Sequence, residues 1–259
     1  TALRRQRQMC IRDRPYIKVE NLTKSYGGLK AIEEITLEIR KGEILSLVGD
    51  NGAGKSTFVK TLAGAQLPDS GRIEIDGEAV KLESPKKASF YGIGCLHQGL
   101  GLIDTLNVPE NVFLGRELQS KVLGIFPQLD YQRMRIETRD LLNQFSIKLP
   151  KLNDAVVNLS GGQRQTIAIS RLLLQKVKLV IMDEPMAALG VEEGSKVLDL
   201  IGKMKSGGVS VLIISHNLEH VLKLSDRIAV MKNGKLIKVL EAQKTSREEI
   251  VKLITFGLS

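Results

Sequence analysis

The sequence predicts an α/β fold, and three observations carry that prediction. A near-continuous apolar run, Ile44-Leu45-Ser46-Leu47-Val48, leads into a glycine-rich loop and a helix, as a strand buried on both faces does. Two further apolar runs, Leu179–Met182 and Val211–Ile214, read as buried strands of the same kind. Around them stand segments that alternate apolar and polar residues, and others with the helical period.

Taken in order, Tyr16–Glu20 and Ile35–Ile39 alternate as half-exposed strands, and Gly71–Gly77 does so between turn signals. These read as an antiparallel β-subdomain beside the core. The Lys41-Gly42 turn precedes the buried Ile44–Val48 strand, and Ser56–Ala63 reads as a helix that Gly64 ends. Residues 107–149 break the pattern: Pro109 opens one helix, and Tyr131–Ser146 carries Met134, Ile136, Leu141, Leu142 and Phe145 at helical spacing. An α-helical subdomain, about 99–165, is therefore expected as an insertion in the core. Ser160–Gln175 reads as a helix, and Ile228–Met231 opens a hairpin that turns at Asn233-Gly234. Residues 15–259 form one domain in this reading. Thr1–Arg14, basic but without an apolar stretch, is set aside as a non-native or disordered tail.

Composition narrows the function classes. With 259 residues, 42% hydrophobic and 26% charged, the chain can bury a full core. No stretch reaches the roughly 18 consecutive apolar residues of a membrane helix, so the chain is not expected to cross a bilayer. The net charge of +9 is scattered and weighted toward Arg4, Arg5, Arg7, Arg12 and Arg14. Aromatic residues make up 4% and tryptophan is missing, so no stacking platform for single strands is apparent; a nucleic-acid partner is not expected. Cys10 and Cys95 have no metal-ligand spacing and fit a reducing compartment.

The strongest chemical signal is Gly49-Asp50-Asn51-Gly52-Ala53-Gly54-Lys55-Ser56, between a buried strand and a helix. It fits the P-loop pattern in full and predicts a P-loop NTPase core. Glycines there let backbone N–H groups converge on phosphate oxygens, and the helix N-terminus adds a favourable dipole. Lys55 should reach the β- and γ-phosphates of ATP, the Ser56 hydroxyl should bind Mg²⁺, and Thr57 continues the nucleotide-facing turn. The second signal is the buried run Leu179–Met182 ending in Asp183-Glu184. At the C-terminal edge of a sheet, Asp183 is placed to hold Mg²⁺ through water, and Glu184 to orient or deprotonate the attacking water.

A third signal, Leu159-Ser160-Gly161-Gly162-Gln163, resembles the signature motif of ABC ATPases. Ser160 is a natural N-cap, and Gly161 and Gly162 are expected to leave N–H groups exposed at a helix start. The resemblance runs over Tyr16 to about Lys238. It implies an ABC ATPase fold, ATP and Mg²⁺ as ligands, and a head-to-tail homodimer in which each signature, including Gln163, closes on the partner's P-loop. It further implies that Tyr26 stacks on adenine, that Gln98 contacts Mg²⁺ and the water as the Q-loop glutamine, and that His216 contacts the γ-phosphate. His97 and His220 receive no role.

Leu106–Glu117, Val157-Asn158 and Ala187–Val191 are similar to the carbohydrate-uptake branch that serves ribose, xylose, galactose and fructose importers. This resemblance implies an ATP-hydrolysing subunit of a monosaccharide importer. It would sit on the cytoplasmic face of the membrane, with transmembrane permease subunits and, through them, a sugar-binding protein as partners. Gly190 stands where many ABC ATPases carry Asp, and the chain has one such domain where many of that branch carry two. A soluble ABC ATPase acting on nucleic acid or a protein assembly is the alternative; the zinc or coiled-coil insertions and charged linkers of such proteins are not visible.

Overall fold

A computed structural model describes residues 15–96, 99–122, 126–147, 151–187 and 189–257, so Gln98, His97, Cys10 and the Thr1–Arg14 tail fall outside the described residues. In chain order the strands are β1 (Pro15–Tyr26), β2 (Leu29–Arg40), β3 (Ile44–Val48), β4 (Ser70–Ile75), β5 (Glu78–Val80), β6 (Ile93–Leu96), β7 (Gln119–Val122), β8 (Phe126–Leu129), β9 (Leu179–Asp183), β10 (Ser210–Ile214), β11 (Arg227–Lys232) and β12 (Lys235–Glu241). The α-helices are α1 (Lys55–Leu62), α2 (Pro85–Phe90), α3 (Val108–Val112), α4 (Tyr131–Gln144), α5 (Gly161–Leu174), α6 (Val191–Ser206), α7 (Leu218–Leu224) and α8 (Arg247–Phe256).

The apolar runs become the centre of a six-stranded sheet ordered β12-β11-β3-β10-β9-β6. β3 pairs in parallel with β10 and β11, and β10 in parallel with β9. Every residue of β3 and β10 is buried, which is why their sequences do not alternate. The alternating segments instead form a four-stranded antiparallel sheet, β2-β1-β4-β5, in which Val19 pairs with Leu37 on one side and Ile73 on the other. One hydrophobic cluster joins Ile17, Val19 and Leu37 of this sheet to Leu45, Leu47, Ile181 and Leu212 of the other and to Phe58 and Leu62 of α1. A second packs Val221 of α7 and Ile250 and Leu253 of α8 against Ile228 and Val230. At the Asn233-Gly234 turn of the β11–β12 hairpin both residues have positive φ, 49° and 78°, as a tight hairpin demands.

Leu96–Val177 and Met186–Lys203 make a second compact unit. It therefore holds all of α5 and most of α6 in addition to the stretch expected from sequence. Its core gathers Val108, Val112 and Phe113 with Met134, Val156 and Ile167. Asn107 caps α3 in a reciprocal capping box with Glu110. Asn111 is fully buried, and its amide ties down the preceding loop: it donates to the Ile103, Leu106 and Asn107 carbonyls and accepts from the Ile103 N–H. This unit is not purely helical. β7 and β8 pair as an antiparallel ribbon, Gln119 opposite Leu129 and Ser120 opposite Gln128. Four-residue strands alternate too briefly to stand out from neighbouring helical periodicity, so the sequence reading does not contain them. Among the described residues no helix is long and apolar enough to cross a membrane.

Candidate active site

Because β3, β9 and β10 run parallel, their C-terminal ends share one edge, and each leads into residues singled out from the sequence: Gly49 after β3, Glu184 after β9 and His216 just beyond β10. Open α/β sheets bind ligands at this edge. Here it borders a cavity of about 600 Å³ lined by Asn51, Gly52, Ala53, Gly54, Lys55, Ser56 and Thr57, by Asp183, Glu184 and His216, and by Tyr26. A cavity of that size is normal for a small-molecule site.

The loop owes its shape to its glycines. Gly54 precedes α1 in a left-handed conformation, φ 98°, and a Cβ there would lie 2.4 Å from the Ala31 carbonyl oxygen. At Gly49 an added Cβ would lie 2.2 Å from the Met231 carbonyl oxygen. The loop is thus pressed against the β2 and β11 backbones, and only glycine allows that approach. Gly54→Ala should cost about 2–3 kcal/mol from the forced φ and the carbonyl clash. Urea unfolding should show a lowered midpoint with an unchanged slope; a midpoint equal to the parent's would mean that the loop yields easily.

Lys55 is 7% exposed, and its Nζ donates to the Gly49 and Asp50 carbonyls at 2.7 and 2.8 Å. Burial lowers its pKa, while the charges of Glu184, Asp50 and Asp183 act in the opposite direction. The ammonium is thereby held in place by the loop before any phosphate arrives. An incoming anion would meet a largely desolvated cation, where a charge-assisted hydrogen bond is strong.

Glu184 has φ 49°, in the left-handed region, and donates its N–H to the Ile214 carbonyl at 3.0 Å. Such a conformation is uncommon for a residue with a side chain. It turns the chain out of β9 at the first position past the strand. Glu184 Oε1 is buried without a hydrogen-bond partner, 3.5 Å from His216 Nε2. Burial raises the Glu184 pKa; the nearby His216 opposes that and Asp183 adds to it. A carboxylate poised to take a proton from water has this character.

The signature residues lie in the second unit. Ser160 caps α5, its hydroxyl accepting from the Gln163 N–H at 3.4 Å while Gln163 Oε1 accepts from the Ser160 N–H at 3.0 Å. Ser160, Gly162 and Gln163 line a cavity of about 390 Å³ within that unit. Gly161 is exposed, but Gly162 is buried beneath Glu193, whose Cβ would stand 2.8 Å from a Cβ added at Gly162.

The family described as ABC transporter matches residues 32–187, from within β2 through the two carboxylates. The chain is 40% identical to the xylose/arabinose import ATP-binding protein XylG of Sulfolobus acidocaldarius, over 92% of this chain and 93% of that protein. The chain belongs to the ABC transporter family. The fructose import ATP-binding protein FrcA of Rhizobium meliloti is 37% identical, over 93% and 94% of the two chains. Against the ribose import ATP-binding protein RbsA of Clostridium tetani, at 34% identity, the match covers 94% of this chain but 48% of that longer protein. Among solved structures, MJ1267, an ATP-binding cassette of an ABC transporter in its ADP conformation, superposes with TM-score 0.77 at 26% identity over 94% of this chain and 96% of that one. The dimeric cassette MJ0796, bound to ADP and phosphate, gives TM-score 0.72 at 26% identity over 88% of this chain and 100% of that one.

In this ABC family chain the sequence reading missed several cavity residues: Leu29, Lys30, Ala31, Ile214 and Asn233. The Asn233-Gly234 turn was legible as a hairpin. Its Gly234 N–H donates to the Ala53 carbonyl at 3.2 Å, a long-range contact with no local signal. Gly190 is exposed, and nothing stands within 4 Å of a Cβ added there. The Cys95 thiol is pushed up to about 11, by burial first and by Asp183 second, which fits a packing residue and not a nucleophile.

Proposed function

We propose that this chain is the ATP-binding and ATP-hydrolysing subunit that energises an ABC importer for a monosaccharide. The convergence of Lys55, Asp183, Glu184 and His216 on one cavity is the observation that carries this reading. ATP is the substrate. The N–H groups of Gly49–Ser56 and the start of α1 receive its phosphates, Lys55 bridges the β- and γ-phosphates, Thr57 flanks them, and Tyr26 offers a ring to adenine.

Ser56 and Asp183 line the same cavity and present hard oxygen donors, which suit Mg²⁺. Among the described residues no cluster of three or more acidic, His or Cys side chains forms a cage. When bound, Mg²⁺ neutralises charge on the β- and γ-phosphates. Gln98, outside the described residues, is proposed to face the same ion and the water.

In hydrolysis the bond from water oxygen to the γ-phosphorus forms as the bond to the β-bridging oxygen breaks, leaving ADP and phosphate. The water proton passes to Glu184, whose raised pKa favours accepting it. His216, 3.5 Å from that carboxylate, orients it and reaches toward the γ-phosphate. Ser160, Gly161, Gly162 and Gln163 complete the site across a homodimer. The names of the xylose/arabinose and fructose import relatives support a sugar as cargo. Transmembrane permease subunits, met from the cytoplasmic face of the membrane, and through them a sugar-binding protein, are the corresponding partners.

Lys55→Ala should weaken ATP binding by roughly 10–100-fold, the worth of a hydrogen bond to a charged group. Titration calorimetry with MgATP tests this, and unchanged affinity would overturn the P-loop assignment. For the cargo, the chain reconstituted with its permease in liposomes should turn over ATP faster when sugar-loaded binding protein is supplied. Equal turnover with loaded and empty binding protein would argue against sugar import.

A further inference from the structure

Tyr26 stands at the edge of the cavity and is 50% exposed. A ring so placed would ordinarily sample several rotamers, and ordering it on binding would cost affinity. Here its hydroxyl donates to Gln66 Oε1. The same amide reaches α1 at both turns: Nε2 donates to the Thr57 carbonyl at 2.8 Å and to Thr61 Oγ1 at 3.0 Å. Thr61 is fully buried and donates its own hydroxyl to the Thr57 carbonyl at 2.9 Å.

These two acceptors fix which end of the amide faces the helix, since only the nitrogen can donate. The oxygen is left pointing at a donor, and the Tyr26 hydroxyl is that donor. Lys24 adds a second restraint. Its Nζ stands 6.0 Å from the Tyr26 ring centroid and is held by Asp69 at 2.7 Å, while Asp69 Oδ2 accepts from the Ser25 N–H at 2.6 Å.

We propose that Gln66 is a positioning residue for the nucleobase, locking the Tyr26 ring for stacking by tying its hydroxyl to the helix that follows the phosphate-binding loop. The inference rests on reading Tyr26 as the base platform. Gln66 is not among the described residues that line the cavity, so it acts through Tyr26. Its competitor is a purely structural role, in which the bonds to Thr57 and Thr61 merely close the end of α1.

The two roles separate experimentally in the full chain. With MgATP, Gln66→Leu should raise Kd and KM about three- to tenfold, the worth of ordering one flexible side chain, and leave kcat unchanged. With tripolyphosphate, which lacks a base, its affinity should equal the parent's. Tyr26→Phe keeps the ring, loses the hydroxyl and should weaken ATP by a similar factor. Adding Gln66→Leu to Tyr26→Phe should then cost nothing more, because the pair shares one interaction. The proposal is overturned if Gln66→Leu leaves ATP affinity unchanged, keeps its full effect beside Tyr26→Phe, or weakens tripolyphosphate as much as ATP. Unchanged ATP affinity in Tyr26→Ala would instead remove the stacking platform itself, and the proposal with it. A failure of Gln66→Leu alone leaves that platform intact.

Discussion

Glu184→Gln is expected to reduce ATP turnover by about 10²–10⁴-fold, the usual contribution of a positioned general base, while ATP affinity stays near the parent's. The substitution preserves size and removes only the charge and the proton acceptor. The carboxylate's environment adds a pH signature. Burial raises its pKa, so the acid limb of the parent's kcat/KM profile should lie above the range of an ordinary glutamate, and that limb should vanish in the variant. Stability should move the other way. Below the ordinary carboxylate pKa both folded and unfolded chains hold the proton, and burial costs nothing. As pH rises through the raised folded-state value, the ionised, unpartnered oxygen becomes a growing penalty that glutamine does not carry. The variant should therefore melt higher than the parent at neutral pH, with the gap closing in acid. Parent-like turnover would remove Glu184 from the chemistry, and a gap in melting temperature independent of pH would remove the buried charge as its cause.

Local pattern made much of the molecule legible in its sequence. β3, β9 and β10 announce themselves as unbroken apolar runs because both faces are covered, and the P-loop and the Asp183-Glu184 pair sit where those strands end. Ser160 was likewise legible as the α5 N-cap, while the reciprocal bond from Gln163 was not read from the sequence. Features set by tertiary approach were not visible. Nothing near residue 162 in sequence indicates that Glu193 packs over Gly162. Gln66 lies 40 residues from Tyr26, and a glutamine in the turn after a helix carries no local sign of its partner. The left-handed φ of Glu184 is imposed by the hydrogen bond from its N–H to Ile214 on the neighbouring strand, a constraint known only once the sheet is assembled. The β7–β8 ribbon was missed for a different reason: its strands are too short for alternation to register.

Glu184→Gln should also dimerise with MgATP, and Ser160→Arg introduced beside it should weaken that dimer by about 100-fold or more, the scale of a disrupted interface hot spot. In the proposed homodimer two copies related by a two-fold axis each close one P-loop with the partner's signature. In the proposed arrangement the γ-phosphate held by Lys55 of one copy meets Ser160 and the α5 N-terminus of the other. Blocked hydrolysis keeps that phosphate in place, so the blocked variant should elute as a dimer on a sizing column only when MgATP is present. Arginine at position 160 removes the Ser160 hydroxyl that accepts from the Gln163 N–H and fills the approach with a long side chain. Loss of that cap alone costs about 1 kcal/mol of helix stability, too little to unfold the chain, so a melting curve near that of Glu184→Gln would show the fold intact. ATP affinity of the monomer should be unchanged as well, because the P-loop cavity belongs to the other compact unit. Gly190 sharpens the test. With no side chain there to reach across the proposed dimer, Gly190 offers no contact that could offset the substitution at Ser160. A permanent monomer in Glu184→Gln with ATP bound would reject the two-copy site for the isolated chain. An ATP-dependent dimer that survives Ser160→Arg would show that the copies associate through some other surface.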